Sequence, residues 1–596
     1  MTLITIDFES YFDKEVSLRK MSTAEYVRHP KFEILGCGVA IDNEPAVWYP
    51  NDEITRAPIP WTEPDTLILA HNTGFDGFVL EDYYDIHPTS YSDTLGLARA
   101  TIPHLKSYSL AAIAALLNVG GKTDGLTYGA TNADQKLIDY CINDVELCRG
   151  IYRKLDPFMT PFERKLLSLT TIWACRPQIR LNVPLLEKEL RNRIAERREL
   201  IDNSGYTKTR LTSNPQFVQI LEALNLPVPY KVSKTTTLKA PALAKDDTEW
   251  QLLKSDHPEY ADLFAGREAA ASNIKITRTQ RFLNIARTRA NTLAMPLTYY
   301  GAHTSRLSGT DKLNVQNLPN LYKSDLRRAL VAPPGFVILV VDSAQIELRL
   351  NAWLCEQNDI LDAIRRGEDP YILEAAAQYN IPPEEVTPLQ RKFGKAVTLG
   401  CGYQMGAFPR FYNFCHGGPL GMDPIMITKN DAYKTINLYR QTKNKISGHW
   451  DTLHNLIPIM ASKNGRYEHP KGLIFTHEAI EMPADTLPQQ YPNLFQTNDG
   501  EWMYGYNVLR KIYGGKLQEN IVQKLARDVV MEQILILHKE GFNSVSSTHD
   551  EGLFLIPETE ANDRLKRAIE VFSTPPAWCS DVPLAAEGGY DHCYSK

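Results

Sequence analysis

The chain has 596 residues, of which 43% are hydrophobic and 23% are charged, and its formal net charge is −6. This length accommodates three or four domains with separate cores, and the composition is ordinary for a globular protein. The negative charge does not exclude a nucleic-acid partner, because a binding cleft needs only local basic surface. The nine cysteines form no C-x-x-C pair and no zinc spacing, which predicts reduced thiols. With neither a basic leader nor an apolar run of about 18 residues, the chain is predicted to be cytoplasmic, without a membrane partner.

The N-terminal region places acidic residues directly after short predicted strands. The strand at residues 3–6 leads into Asp7 and Glu9. Acids two residues apart on an extended segment point to the same side, so this pair can bind one metal ion. A second strand, at residues 67–70, precedes Asp76 in the sequence H-N-T-G-F-D. Each acid taken alone is more often a surface residue or a helix cap than a ligand.

A predicted helix over residues 134–155 completes this pattern, with Tyr140 and Asp144 one turn apart on one face. In chain order, the motifs D-x-E, N-x-x-F-D and Y-x-x-x-D resemble those of the DnaQ-like 3′-to-5′ exonucleases. The resemblance implies an RNase H-like α/β domain over residues 1–156, in which the four acids of these motifs hold two metal ions. It also implies that Tyr140 positions the attacking water. Hydrolysis of a phosphodiester needs a metal-activated hydroxide, and four carboxylates suffice to hold the ions.

The middle of the chain is predicted to be a separate helical region. Pro157, Pro161 and a change to helical periodicity predict a domain boundary near residue 157. The segment from Asn182 has a cap, an early proline and apolar residues at helical spacing, while its other face is rich in Lys and Arg. A solvated face and a phosphate-tracking face explain this pattern equally well, and both stay open. Segments 212–227 and 235–243 resemble the thumb tip of family A DNA polymerases.

The sequence F-V-I-L-V-V, residues 336–341, predicts a short buried strand because it is apolar and largely β-branched. Asp342 follows where this strand is predicted to end. A carboxylate there is costly unless a cation compensates its charge, and a divalent metal is the usual compensation. A helix cap is the common alternative for an aspartate at this position.

A second acid, Asp550, lies in the sequence S-S-T-H-D-E-G-L-F-L-I. Residues 544–548 and 553–556 are predicted to form the two strands of a hairpin, with residues 549–552 as its turn. Carboxylates on a strand end and a hairpin turn can hold two Mg²⁺ ions about 3.5 to 4 Å apart, the arrangement that promotes phosphoryl transfer. We therefore predict a nucleotidyl transferase in which Asp342 and Asp550 bind the metal.

Residues 387–390, T-P-L-Q, form a capping box with proline at the first helical position, so a helix is predicted to begin there. Arg391, Lys395, Leu399 and Tyr403 follow at intervals of four residues and are predicted to share one face. Two positively charged side chains one helical turn apart are suited to bind the phosphates of a triphosphate. A solvated basic face is the alternative.

Residues 301–556 resemble the palm and fingers of family A DNA polymerases, with the motifs in the same order. These motifs are G-A-H-T-S-R-L-S-G-T, N-V-Q-N-L-P, D-S-A-Q-I-E-L-R, R-K-F-G-K-A-V-T-L-G-C-G-Y-Q and H-D-E. The resemblance implies metal binding by Asp342, the backbone of Ser343 and Asp550, and nucleotide binding by Glu347, Arg391, Lys395, Leu399 and Tyr403. It implies contacts with primer-template DNA by Arg306, Gln316, Asn317, Gln523 and His549. Glu347 is the expected steric gate against a ribose 2′-OH, and Lys395 is the expected proton donor to the departing pyrophosphate.

Several positions depart from the pattern of the family. Ser343-Ala344 stands where Tyr-Ser is common, Leu399 where Phe or Tyr is common, and Gln404 where glycine is usual. Tyr371 replaces a histidine of the bacterial members, which is a phage-like variant, and the segment 514–528 is also phage-like. Leu399 and Gln404 leave open whether the chain copies a modified base such as 2-aminoadenine.

The resemblance implies a multidomain protein of α/β and α+β class, in which an RNase H-like exonuclease precedes a right-hand polymerase. The expected domains are 1–156, exonuclease; 157–300, mainly thumb and the start of the palm; 301–350, palm; 351–480, fingers; and 481–596, C-terminal palm. The expected function is template-directed DNA synthesis with proofreading, in phage genome replication. Two Mg²⁺ ions are expected in each site, with Mn²⁺ as a substitute. Expected partners are primer-template DNA, dNTPs and phage or host replication factors, in the host cytoplasm.

Two other functions are weighed against this one. A nuclease whose polymerase half only binds DNA is opposed by Asp342, Lys395 and Asp550, because a DNA-binding surface has no use for acids that face phosphate. RNA synthesis is opposed by Glu347. The chain is too short for an additional 5′-nuclease domain, and none is expected.

Overall fold

The structure is a computed structural model that describes residues 1–123, 134–232, 238–245, 247–319, 321–419 and 422–595. The chain forms two compact units. The first unit comprises Met1–Val183, Phe282–Leu350 and Thr452–Lys596, and the second comprises Pro184–Arg281 and Asn351–Asp451. Residues 235–237, which belong to the predicted thumb-tip segment 235–243, lie outside the described residues.

The described chain contains both strands and helices, many of them in consecutive runs of one kind. The strands are β1 Thr2–Ser10, β2 Ile34–Ile41, β3 Val47–Pro50, β4 Thr66–Ala70, β5 Tyr91–Asp93, β6 Ile179–Leu181, β7 Tyr230–Val232, β8 Lys239–Pro241, β9 Thr292–Leu293, β10 Leu297–Thr298, β11 Ser308–Gly309, β12 Leu330–Val331, β13 Phe336–Ser343, β14 Tyr467–Glu468, β15 Ile474–Thr476, β16 Ala479–Glu481, β17 Gln489–Gln490, β18 Phe495–Gln496, β19 Trp502–Tyr504, β20 Arg510–Ile512, β21 Asn543–Thr548, β22 Glu551–Pro557 and β23 Ala586–Asp591. The α-helices are α1 Thr23–Val27, α2 Gly74–Phe78, α3 Thr94–Thr101, α4 Leu110–Leu116, α5 Gln135–Leu155, α6 Pro161–Cys175, α7 Val183–Asn203, α8 Lys208–Thr212, α9 Asn214–Ala223, α10 Thr248–Asp256, α11 Ala261–Ala271, α12 Ile274–Ala286, α13 Ile346–Leu354, α14 Asn358–Arg365, α15 Pro370–Tyr379, α16 Pro388–Cys401, α17 Tyr412–His416, α18 Lys429–Thr442, α19 Asn444–Ala461, α20 Gly514–Lys539 and α21 Ala561–Ser573. Among the described residues, no helix combines the length and the apolar character that a membrane crossing requires.

The N-terminal part of the first unit is built on a five-stranded mixed sheet with the order β3-β2-β1-β4-β5. β1 lies at its centre, antiparallel to β2 and parallel to β4. Ile4, Thr5 and Ile6 are all buried, so this strand is covered on both faces. The helix predicted over residues 134–155 is α5, which packs against β1 and β2. Asp134 caps it by accepting a hydrogen bond from the Lys136 N–H at 3.0 Å.

A four-stranded antiparallel sheet of the first unit has the order β21-β22-β13-β23. The predicted strand 336–341 is confirmed as β13, and it continues to Ser343 because Asp342 pairs with both neighbouring strands. The predicted four-residue turn at 549–552 is wrong. β21 ends at Thr548 and β22 begins with Glu551, so the turn is the pair His549 and Asp550. His549 has a φ of 56°, the left-handed conformation that such tight turns use.

The second unit is mainly helical and contains a buried apolar cluster around Trp250 and another around Phe393. Helix α16 begins as predicted, since Thr387 and Gln390 form a reciprocal capping box. α16 lies close to α15 at Gly394, where an added Cβ would lie 2.1 Å from the carbonyl oxygen of Tyr371. Only glycine permits this approach without a shift of the helix backbone.

Helix α16 ends earlier than the four-residue periodicity predicts. Its last residue is Cys401, so Tyr403 lies in the turn that follows and does not continue the face of Arg391. The carbonyl oxygen of Gly402 accepts a hydrogen bond from Trp450 Nε1 at 3.1 Å, so a side chain from α19 takes the place of a helical backbone partner. Gln404, two residues further on, has a φ of 63°, a left-handed conformation through which an α-helix cannot continue.

Candidate active sites

Four carboxylates of the first unit converge around β1. Asp7 and Glu9 belong to this strand, and the Phe8 N–H between them donates to Asp76 Oδ1 at 3.0 Å. Asp144 comes from α5, which packs on β1. Asp76 and Asp144 are buried, with 3% and 5% of their surfaces exposed. The structure thus brings together the four acids of the three N-terminal motifs.

The crowding of these acids shifts their pKa values upward. Burial raises the pKa of Asp7 well above its usual range, and the charges of Glu9, Asp76 and Asp144 raise it further. Burial and the charge of Asp144 raise the pKa of Glu9 to about 8. Burial raises the pKa of Asp76 to about 7, although the hydrogen bond from the Phe8 backbone opposes this shift. A bound divalent cation would relieve this mutual repulsion.

One cation, Lys122, lies inside this group of acids and was not identified from the sequence. Its Nζ is 2.6 Å from Asp144 Oδ2 and 4.7 Å from the centroid of the Tyr140 ring. The other carboxylate oxygen of Asp144, Oδ1, is buried and has no hydrogen-bond partner among the described residues. Tyr140, the predicted water-positioning residue, therefore lies beside both Lys122 and Asp144, and burial raises its pKa to about 12.

The donor set of this group fits Mg²⁺ or Mn²⁺. Ligand atoms of Asp7, Glu9 and Cys141 lie within 4.8 Å of one another. Cys141 Sγ donates to the carbonyl oxygen of Asp7 at 3.2 Å, and burial raises the pKa of its thiol well above the usual range. The thiol is therefore protonated, which leaves the carboxylate oxygens as the ligands that a hard cation prefers.

In the four-stranded sheet of the first unit, Asp342 and Asp550 are brought together by the pairing of β13 with β22. Asp342 is opposite Glu551, and the Ser343 N–H donates to the Asp550 carbonyl oxygen at 3.1 Å. Burial raises the pKa of Asp550 to about 6, and the charge of Asp342 contributes to the shift. The strand end and the hairpin turn thus present two acids side by side.

Arg306 connects two predicted site residues of the first unit. Its Nη2 donates to Glu347 Oε1 at 2.6 Å and to Asp550 Oδ1 at 3.4 Å. The three side chains are 25%, 22% and 28% exposed, respectively, so each of them is accessible to a ligand. The predicted DNA contact, the predicted steric gate and a predicted metal ligand therefore share one ionic group.

The other predicted DNA contacts lie on three segments of the first unit. His549 is exposed and hydrogen-bonds the backbone of Gln316. Gln523 of α20 accepts a hydrogen bond from Thr304 Oγ1 at 3.2 Å. Asn317 is exposed. The structure thus brings Gln316 to the hairpin turn and Gln523 to the segment that carries Arg306.

The predicted phosphate-binding cations lie on α16 in the second unit. Arg391 and Lys395 are half-buried, and their charged groups lie 5.6 and 5.8 Å from the centroid of the Tyr371 ring. Arg391 also forms an ion pair of 2.7 Å with Asp369, the residue that caps α15. Leu399 is half-buried and one further turn along the helix. The structure therefore adds an aromatic and an acidic neighbour to the two cations.

A buried ionic network in the first unit was not predicted. Arg527 Nη2 lies 2.7 Å from Glu163 Oε2, and Lys524 Nζ lies 2.8 Å from Asp528 Oδ1, with all four side chains at most 1% exposed. The signal for it was the sequence K-L-A-R-D-V-V, in which charges interrupt an otherwise apolar helix. Such charges in a buried helix need partners, but the sequence does not say which residue supplies them.

Comparison with known proteins relates the chain to DNA polymerases. The family model of DNA polymerase family A matches residues 182–457. The chain is 24% identical to the DNA polymerase of Bacillus phage SP02 over 690 aligned positions, which cover 100% of both chains. It is 28% identical to the thermostable DNA polymerase I of Thermus thermophilus over 235 residues, which are 38% of this chain and 27% of that protein. It is 36% identical to DNA polymerase I of Pseudomonas aeruginosa over 139 residues, which are 23% of this chain and 15% of that protein.

The fold is similar to that of a solved polymerase, the POL domain of Pol1 from M. smegmatis in complex with a DNA primer-template and a dNTP. The TM-score is 0.69 and the identity is 18%, and the superposition covers 100% of this chain and 95% of the other. The chain therefore has a mixed α/β fold of the kind found in that domain.

Proposed function

Because residues 182–457 match the family model of DNA polymerase family A, we propose that the chain is a template-directed DNA polymerase with a 3′-to-5′ proofreading exonuclease. The observation that carries this proposal is the meeting of Asp342 and Asp550, whose backbones are joined through the 3.1 Å hydrogen bond from Ser343. The similarity to a phage DNA polymerase along the whole chain supports it. The proposed substrates are primer-template DNA and dNTPs, which the structurally similar polymerase binds.

In the proposed polymerase site, Asp342, the backbone of Ser343 and Asp550 hold two Mg²⁺ ions, for which Mn²⁺ can substitute. When bound there, these ions would activate the primer 3′-OH and stabilise the negative charge of the departing pyrophosphate. Glu347 occupies the space that a ribose 2′-OH needs. Arg306 holds the Glu347 carboxylate at 2.6 Å, which gives the gate a defined position.

The proposed nucleotide contacts come from α16. Arg391 binds phosphate oxygens after exchanging its bond to Asp369, and Lys395 binds the same triphosphate one turn away. As the primer 3′-OH loses its proton to solvent and its oxygen bonds the α-phosphorus, the bond from that phosphorus to the bridging oxygen breaks, and Lys395 Nζ donates a proton to the departing pyrophosphate. Leu399 and Tyr403 are the proposed contacts with the nascent base pair.

The proposed exonuclease site is the group of Asp7, Glu9, Asp76 and Asp144. These acids hold two divalent ions, and Tyr140 orients the water that attacks the terminal phosphodiester. The upward pKa shifts of these acids support this assignment, because buried and crowded carboxylates favour added positive charge, which a divalent cation would supply.

Extension of a labelled primer-template, resolved on a gel with Mg²⁺ and with or without dNTPs, tests both sites. The unaltered chain is expected to lengthen the primer with dNTPs and to shorten it without them. Asp550→Asn is expected to abolish lengthening and retain shortening, because it removes a metal ligand of the polymerase site only. Asp7→Ala is expected to do the reverse.

Asp499→Asn is the matched control, because Asp499 is an exposed acid in the same unit and outside both groups. It is expected to leave both activities unchanged. If the Asp550→Asn variant still lengthens the primer, the polymerase assignment is wrong. If the unaltered chain shortens the primer both with and without dNTPs, the chain is a nuclease whose polymerase half only binds DNA. Incorporation of ribonucleotides by the unaltered chain favours RNA synthesis.

The proposed setting is replication of a phage genome in the host cytoplasm, with phage or host replication factors as partners. The similarity to the polymerase of Bacillus phage SP02 over 100% of both chains supports this setting. Primer extension in the presence of a host-cell extract, compared with extension by the purified chain, tests for a factor that lengthens the products.

A further inference from the structure

Lys122 lies among the acids of the proposed exonuclease site. Its ammonium group is 2.6 Å from Asp144 Oδ2, and the two side chains are 27% and 5% exposed. The ring of Tyr140 lies 4.7 Å from the same nitrogen. Lys122 is therefore fixed between a proposed metal ligand and the proposed water-positioning residue.

The charge of Lys122 acts on the whole group of acids. It lowers the pKa values of Asp7, Glu9 and Asp144, all of which burial raises. Among the described residues, Asp144 Oδ1 has no hydrogen-bond partner, while Oδ2 is held by Lys122. One oxygen of Asp144 is thus buried without a hydrogen-bond partner among the described residues, and the other is paired with a cation of the protein itself.

We propose that Lys122 sets the affinity of the exonuclease site for divalent metal, because its positive charge lies against Asp144 and repels a further cation at the same group of acids. This inference rests on the proposed exonuclease function. Lys122 acts here as a positioning residue, since it holds a metal ligand and is not itself a ligand. An ammonium group cannot coordinate a metal ion, so the two cations compete for the same carboxylate.

The expected size of this effect follows from the charge. Removing a unit positive charge about 5 Å from a divalent ion strengthens binding of that ion on the order of tenfold, even at the dielectric constant of water. A buried site screens the charge less than water does, so a larger effect is expected there. If Lys122 only linked α5 to the segment after α4, its removal would not strengthen metal binding.

Binding of Mn²⁺ to the full chain, followed by electron paramagnetic resonance of the free ion, tests the proposal without reference to activity. Asp342→Asn and Asp550→Asn are combined in every sample so that the polymerase site does not contribute. In this background, Lys122→Met is expected to bind Mn²⁺ on the order of tenfold more tightly or more. Lys122→Arg, which keeps the positive charge, is expected to retain the original affinity.

Lys136→Met is the matched control, because Lys136 is an exposed cation on the same helix as Asp144. It is expected to change Mn²⁺ affinity little. Unchanged or weaker Mn²⁺ binding by Lys122→Met overturns the proposal, as does equal strengthening by Lys136→Met. Primer extension by Lys122→Met with an intact polymerase site shows that this variant is folded.

A further variant, Asp7→Ala, distinguishes failure of the exonuclease assignment from failure of the role proposed for Lys122. Adding Asp7→Ala to the same background is expected to abolish the remaining tight Mn²⁺ binding. If Asp7→Ala leaves Mn²⁺ binding unchanged, the acids around β1 do not form a metal site, and the proposed exonuclease function fails together with the role of Lys122. If Asp7→Ala abolishes binding but Lys122→Met does not strengthen it, only the role of Lys122 fails.

Discussion

At the scale of single residues, the two proposed sites are distinguished by how a basic side chain lies among their acids. Lys122 contacts Asp144 in one, and Arg306 contacts both Glu347 and Asp550 in the other. An arginine can donate to two carboxylates from one planar group, whereas a lysine offers a single point of charge. Arg306 is therefore suited to hold the relative positions of two acids.

Replacing Arg306 by leucine is expected to reduce primer extension. The substitution removes the 2.6 Å hydrogen bond to Glu347 and the cation that opposes the upward pKa shift of Asp550. We expect kcat/KM for dNTP incorporation to fall roughly 10- to 100-fold, the range for a lost hydrogen bond between charged groups. Steady-state extension kinetics measure this change.

Arg466→Leu is the control for this substitution, because Arg466 forms an exposed ion pair with Glu468 in the same unit. It is expected to leave extension unchanged. Primer shortening is expected to be normal in both variants. An Arg306→Leu enzyme with unaltered kcat/KM would show that this arginine does not support the site.

At the scale of elements, the ends of strands and helices position the site residues. The pairing of Thr548 with Glu551 leaves only His549 and Asp550 for the turn, and the pairing of Glu551 with Asp342 brings Asp550 beside the end of β13. On α16, the capping box sets where the helix begins and thereby where Arg391 and Lys395 project. A change at a helix cap therefore affects the proposed nucleotide contacts without touching them.

The substitution Thr387→Ala removes the side chain that accepts the hydrogen bond from the Gln390 N–H. Loss of such a cap costs about 1 kcal/mol of helix stability. We expect faster hydrogen exchange in the first turn of α16 and a rise in the KM for dNTPs of roughly fivefold, because the cation positions fluctuate more.

Thr428→Ala removes an equivalent capping box, formed with Asp431 at the start of α18, and is the matched control. Hydrogen exchange is expected to increase in α18 in this variant, while the KM for dNTPs stays unchanged. An equal rise in KM for both variants would mean that general loosening of the second unit, and not the start of α16, determines nucleotide binding.

At the scale of the molecule, the first unit is assembled from three separate stretches of chain. The ion pair between Glu163 and Arg527 joins residues 364 positions apart, and both side chains are at most 1% exposed. Although burial opposes ionisation, Arg527 lowers the pKa of Glu163 to about 2. Because one partner precedes the second unit in the chain and the other follows it, this pair connects distant parts of the first unit.

Arg527→Met is expected to destabilise the protein by about 3 to 5 kcal/mol at neutral pH, because it leaves the Glu163 charge buried without its partner. Because the pKa of Glu163 is lowered in the folded protein, the ion pair contributes fully to the free energy of unfolding at pH values above 4.5, the ordinary pKa of a glutamate. This contribution is lost as the pH falls towards 2. The difference in free energy of unfolding between the unaltered protein and Arg527→Met therefore becomes smaller at low pH. Unfolding measured across this pH range tests both expectations.

Arg164→Met is the control, because Arg164 pairs with Asp156 in the same unit but is 42% exposed. Arg164→Met is expected to lower the free energy of unfolding much less, because solvent screens an exposed ion pair. An equal decrease for Arg164→Met and Arg527→Met would contradict the role assigned to the buried pair. So would a difference between the unaltered protein and Arg527→Met that does not change with pH.

The sequence by itself determined the local elements and the acids that they carry. The strand at 336–341, the helix near 134–155 and the capping box at 387–390 were predictable because periodicity and caps depend on residues within a few positions of one another. The order of the motifs likewise indicated a resemblance to family A DNA polymerases, whose family model matches residues 182–457. The predicted domain boundaries and the roles of the individual site residues stay predictions.

The tertiary structure alone decided which distant charges and backbone groups meet. Lys122 beside Asp144, Arg306 beside Glu347 and Asp550, and Glu163 beside Arg527 each join separate segments of the chain. A tryptophan of α19 contacts the backbone at the end of α16, and the pairing of β22 with β13 brings the hairpin turn to Asp342. No local pattern encodes such contacts, because the free energy of a charge or a backbone group depends on the partner that folding brings to it.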